Sequence, residues 1–157
     1  REGSGGTMIV CVALVSPENR PLYLKTFRGE TGASAGEEDP AQFHYIVHCS
    51  LDIFEERLAV KQGATSYDMY LGLLYPTEDY RVYGYVTNSR VKIVLVVDDQ
   101  EVKDTELRNV FRRLHAAYVD VVANPFYLPS EAIISKKFVV ETDSVVAGAA
   151  LAQGQVP

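Results

Sequence analysis

The segment YDMYLGLLYPTEDYRVYGYVTNSRVKIVLVV, Tyr67–Val97, decides the fold. It is dominated by tyrosine, valine, leucine and isoleucine. Two breaks, PTED at residues 76–79 and NSR at residues 88–90, cut it into three pieces of strand length. Aromatic and β-branched runs bounded by Pro, Asn, Asp and Ser are the pattern of short strands joined by turns, and links this short predict an antiparallel meander. Within YRVYGYV, strand alternation sends Tyr83 and Tyr85 to one face with Arg81, and Val82, Gly84 and Val86 to the other. Tyr75 and Tyr80 flank the PTED turn, and Tyr80 is expected to be the most exposed ring and a candidate partner contact.

Upstream, MIVCVALVS (Met8–Ser16) is a continuous valine-rich run, as expected of a strand covered on both faces and placed centrally in a sheet. PENRP supplies turn chemistry, and LYLKTF (Leu22–Phe27) completes a hairpin. Residues 28–39 contain no large apolar side chain and several acids, so they are read as a flexible acidic loop. At its end, Asp39 followed by Pro40 signals a helix start. From there Phe43, Val47, Ser50, Leu51, Phe54 and Leu58 recur at helical spacing and stop before Gly63. Downstream of the meander, a second helix runs from Asp104 to Val122 with Leu107, Val110, Phe111, Leu114, Tyr118, Val121 and Val122 inward, and Asn124–Pro125 ends it. A thinner apolar face, Phe138, Thr142, Val145, Val146 and Ala149, marks a third helix over 136–151. The order ββαβββαα predicts an α+β domain over residues 8–157: one five-stranded antiparallel sheet with helices on both faces.

A chain of 157 residues can bury roughly 70% of its unfolded surface, enough for an ordinary core. Its net charge of −6 has the wrong sign for gripping a phosphate backbone. Two cysteines without paired spacing, Cys11 and Cys49, both at expected core positions, suit a reducing compartment. No run approaches the roughly 18 apolar residues of a membrane span. Residues 1–7 carry no initiator and no apolar segment, so they read as an expression scar ahead of Met8.

Catalytic patterns fail on context. GASAG (Gly32–Gly36) matches G-x-S-x-G, but Ser34 lies in a loop and not on a sharp strand-to-helix turn. His44 and His48 sit one helical turn apart without the glutamate of H-E-x-x-H or an evident third ligand. Glu55–Glu56 and Asp98–Asp99 are sequence neighbours that point in different directions. No glycine-rich phosphate cradle occurs. NPFY (Asn124–Tyr127) matches the N-P-x-Y sorting turn, but its place directly after a helix favours a stop signal whose aromatics pack. The expectation is a protein that is not an enzyme and uses no cofactor, metal or small-molecule substrate.

FHYIVHCSLDIFEE, YLGLLYPTEDYRVYGYVTNSRVKIVLVVDD and LRNVFRRLHAAYVDVVANPFY, together with the opening MIVCVALVSPENRPLYLKTF, closely resemble the sedlin family of longin-like trafficking subunits over residues 8–127. The loop at 29–39 and the tail from about residue 139 depart from the family pattern. The resemblance implies a longin-like, profilin-related fold. It also implies a non-catalytic adaptor role in TRAPP vesicle-tethering complexes, with other TRAPP subunits as partners and an indirect link to Rab GTPases. The setting would be the cytoplasm, peripheral to ER–Golgi and Golgi membranes. The site residue carried over is the aspartate of SLD, Asp52, with Glu55 and Glu56 nearby as partner-interface candidates. Helical geometry turns Asp52 about 100° away from the core-facing Leu51. The alternative class is a longin-type SNARE regulatory domain or a coat-adaptor small subunit; a SNARE would add a heptad-patterned segment that this sequence does not show. A homodimer through a sheet edge or helix face is also compatible with the pattern.

Overall fold

The three pieces of the opening segment form strands at the positions their composition dictates, and they build the half of the sheet that carries most of its tyrosines. The computed structural model describes residues 9–27, 40–61, 69–77, 80–98, 104–128 and 131–154. Strands β1 (Ile9–Val15), β2 (Pro21–Thr26), β3 (Tyr70–Pro76), β4 (Tyr80–Val86) and β5 (Lys92–Asp98) form one sheet in the order β2-β1-β5-β4-β3. Every neighbouring pair is antiparallel. The Met8 run is an interior strand as expected, although the middle position belongs to β5.

Helix α1 (Pro40–Lys61) covers one face, while α2 (Asp104–Ala123) and α3 (Lys136–Gly154) cover the other. Strand alternation separates the two cores. Ile93, Leu95 and Val97 of β5 join Phe111, Leu114 and Phe138 of the two-helix side, while Val94 and Val96 join Phe43 and Phe54 of α1. In β1, a register shift between Ile9 and Cys11 turns Val10 and Cys11 to the same side, toward α1. This is the effect of a bulge, which adds one residue to a strand and breaks strict alternation.

Turn chemistry fixes the register. Asn19 and Arg90 adopt left-handed φ values of 67° and 73°. Between β4 and β5, Arg90 N–H donates to Thr87 O (2.9 Å), and Val91 N–H donates to the Thr87 hydroxyl (3.1 Å). A short hairpin loop that ends on a left-handed residue is a favoured solution for twisted strands.

The sequence reading needs three local corrections. Val122 is 40% exposed, while Ala117, absent from the predicted α2 stripe, is buried. Ile46, absent from the predicted α1 stripe, is buried. Cys49 is only half-buried, because it lies at the flank of that stripe. The readings of residues 1–7 as an expression scar, of 28–39 as a loop, of Asp39 as a cap and of Ser34 fall outside the described residues.

Candidate functional site

Asp52 lies on the outward side of α1 and is exposed, as are Glu55 and Glu56. Leu51 and Phe54, their neighbours on the helix, are buried and fix the rotation that turns these three carboxylates to solvent. They are not equivalent. Glu55 Oε2 is 3.5 Å from Asn19 Nδ2, and Asn19 Oδ1 accepts from Lys92 Nζ at 2.7 Å. Lys92 is buried, which holds its amine below the ordinary lysine range, while the Glu55 charge opposes that effect. Glu55 therefore helps to neutralise a lysine of the fold itself, whereas Asp52 and Glu56 extend the acidic surface outward.

Next along the helix, Arg57 reaches back to the sheet, donating from Nη1 to Leu71 O (3.0 Å) and from Nη2 to Leu73 O (2.8 Å), both in edge strand β3. Tyr75 ties the same two elements together, its hydroxyl donating to Ile46 O at 2.9 Å.

Tyr80 is not the exposed ring expected from its place beside the turn. It is only 2% exposed and packs against Phe43, with ring centroids 5.5 Å apart. The turn draws it inward: Thr77 N–H donates to Tyr80 O (2.7 Å), and Tyr80 N–H donates to the Thr77 hydroxyl oxygen (3.0 Å). Its ring lies on the α1 side of the sheet with Val82 and Val86, so it presents no surface to a partner.

Among the described residues, two open grooves are relevant to partner binding. One, of about 380 Å³, lies between α1 and the β1–β2 hairpin and is lined by Pro21, Leu24, His44, Tyr45, His48 and Leu51. His44 and His48 are exposed there, and Tyr45, 69% exposed, stands at its mouth. The other, of about 800 Å³, lies where α2 ends and α3 begins. In its wall Phe126 of NPFY is 89% exposed, contrary to the expected packing of both aromatics, while Tyr127 is half-buried. Tyr45, Phe126 and Ile134 were not singled out as surface residues from sequence. For Tyr45 a signal existed, since it falls off the apolar stripe of α1.

Burial pushes the Cys11 thiol up to about 12, far from the thiolate needed for nucleophilic attack. Among the described residues, no group of three or more His, Cys, Asp or Glu is placed to hold a metal ion. Among the same residues, no helix is long and apolar enough to cross a membrane.

One five-stranded antiparallel sheet with α1 on one face and α2 and α3 on the other is the architecture of a longin-like domain. Sequence comparison narrows the class. The chain belongs to the sedlin family, whose model, described as Sedlin, matches residues 14–147. The trafficking protein particle complex subunit 2-like protein of Dictyostelium discoideum is 46% identical over 139 residues, covering 88% of this chain and 96% of that protein. Its namesake in Bos taurus is 48% identical over 135 residues, covering 83% and 91%. An uncharacterised protein of Schizosaccharomyces pombe is 32% identical over 127 residues, covering 75% and 77%.

Proposed function

We propose that this chain is a non-catalytic adaptor subunit of a trafficking protein particle (TRAPP) vesicle-tethering complex. The observation that carries this reading is the near full-length similarity to proteins named as subunit 2-like members of that complex. The chemistry of the fold agrees with it, since the cysteine in the sheet is buried and protonated and the accessible features are grooves and a carboxylate-bearing helix face. In such a complex the chain works by contact with neighbouring subunits, its link to Rab GTPases is indirect, and its place is the cytoplasmic side of ER–Golgi and Golgi membranes.

Asp52 is the proposed centre of a subunit contact, with Glu56 beside it and Glu55 contributing less because Asn19 bonds it and its charge already acts on Lys92. Charge complementarity at such a surface selects and steers partners more than it adds affinity. The test is affinity purification of tagged wild-type chain and Asp52→Tyr from native cells, with mass spectrometry of what co-purifies. Wild type should recover TRAPP subunits, and Asp52→Tyr should lose them several-fold while keeping the wild-type urea midpoint. Failure of wild type to recover any TRAPP subunit would overturn the proposed function. Undiminished recovery by Asp52→Tyr, or its unfolding, would remove Asp52 from the contact and leave the function standing.

A further inference from the structure

The groove between the end of α2 and the start of α3 combines apolar walls, exposed large apolar side chains and a rim with an excess of negative charge. Its floor is Val121 and Phe138, both buried, and its upper walls are Phe126, Leu128 and Ile134, exposed at 89%, 63% and 88%. Large apolar side chains grouped so openly on a soluble domain mark an interaction site more often than they occur by chance.

Their exposure is built into the backbone. Asn124 accepts from Phe126 N–H through its side chain (3.0 Å) and from Tyr127 N–H through its carbonyl (3.0 Å), a turn that holds the Phe126 ring outward. The Tyr127 hydroxyl donates to Glu131 O at 2.7 Å, a bond within the middle of the linker. Ile133 N–H donates to Leu22 O of edge strand β2 at 2.8 Å, so the extended linker buries Ile133 and its alternation must turn Ile134 out. Anchors held this way have already lost the conformational freedom that binding would otherwise remove.

Three carboxylates, Asp120, Glu131 and Glu141, and one ammonium, Lys137, line the same groove. The excess negative charge selects the occupant. A second copy of the chain docking by two-fold symmetry would set these acids against themselves. The chain's own segments fit no better: residues 28–39 carry Glu30, Glu37, Glu38 and Asp39 and no large apolar side chain, and residues 1–8 offer only Met8. The walls are helix ends and a linker, whereas the edge strands β2 and β3 belong to the sheet, so the groove offers no ladder to an added strand.

We infer that this groove is a docking site for an amphipathic helix of a partner protein, with apolar anchors at helical spacing flanked by lysine or arginine. The anchors enter between Phe126, Ile134 and Phe138, and the basic flanks meet Asp120, Glu131 and Glu141. This site is distinct from the Asp52 surface, which lies on the opposite face of the sheet.

The test uses purified full-length chain and a fluorescein-labelled helical peptide of about 16 residues. The peptide has leucines at i, i+3, i+4 and i+7 and flanking lysines; a matched peptide carries glutamates in their place. By fluorescence anisotropy, the lysine peptide should bind about tenfold more tightly than the glutamate peptide, and the gap should narrow as salt is raised. Phe126→Ser and Ile134→Ser, both at exposed positions, should each weaken the lysine peptide severalfold with no change in urea midpoint, while Tyr45→Ser in the other groove should have no effect. No binding of either peptide, equal binding of both, or loss only on Tyr45→Ser would overturn the inference. So would self-association in sedimentation velocity that the Phe126 and Ile134 variants abolish, which would make a second copy the occupant. The assay contains no other subunit, so its outcome is independent of the co-purification result.

Discussion

His115 on α2 lies where an uncharged imidazole suits the fold better than an imidazolium. Its Nδ1 is 3.3 Å from the Tyr85 hydroxyl, and the Tyr85 ring in turn stacks on Phe111 with centroids 5.2 Å apart. Burial lowers the His115 pKa from the usual 6.5. The unfolded chain therefore takes up a proton at a pH where the folded chain still refuses it. Stability from this residue is whole above pH 6.5 and is lost as the pH falls below 6.5 toward the folded value. Urea midpoints measured from neutral pH down to about pH 5 should fall more steeply for wild type than for His115→Gln, and parallel curves would count against this assignment. Tyr80 shows what was legible at the same scale and passed over. Its parity in β4 is that of Val82 and Val86, so alternation alone placed it under α1; proximity to a turn was the weaker guide and gave the wrong answer.

Helix α1 was legible as an element because its inward residues must meet a flat sheet, and that demand leaves a spacing of three and four in the sequence. The sheet's answer to the helix was less visible. A Cβ on Gly84 of β4 would stand 2.8 Å from Phe54 Cζ and 2.8 Å from Leu74 Cδ1, so the absence of a side chain there is what makes room for Phe54 and Leu74. Phe54 is fully buried and has little room to retreat. Gly84→Ala should therefore cost about 1–3 kcal/mol, the usual range for overpacking a filled core, read as a lower urea midpoint with the slope unchanged; a variant as stable as wild type would show that Phe54 can move. The linker between α2 and α3 was the hardest element to read. NPFY marks the end of a helix reliably, but whether Phe126 turns in or out depends on the Asn124 side-chain bond and on Ile133 finding β2, a contact more than 100 residues away in sequence.

At the scale of the whole molecule, two-sided burial was written into the valine-rich runs, which cannot face water on either side, and it called for helices on both faces. The pairing of β1 with β5 was not, because nothing local in either run names its neighbour and only the return of the chain through α1 and the meander brings them together. This arrangement leaves β2 and β3 at the margins. The linker engages one of them through Ile133, and the Arg57 guanidinium occupies the Leu71 and Leu73 carbonyls of the other. Homodimerisation by joining strands would have to displace those bonds first. Arg57→Ala should remain folded, losing about 1 kcal/mol, yet scatter more light with time at high concentration than wild type; identical scattering would sink the idea. An uncovered strand edge recruits misfolded neighbours, and that hazard is greatest for a chain standing alone. One arginine, reaching across from a helix to two carbonyls, then sets the shelf life of the unassembled chain.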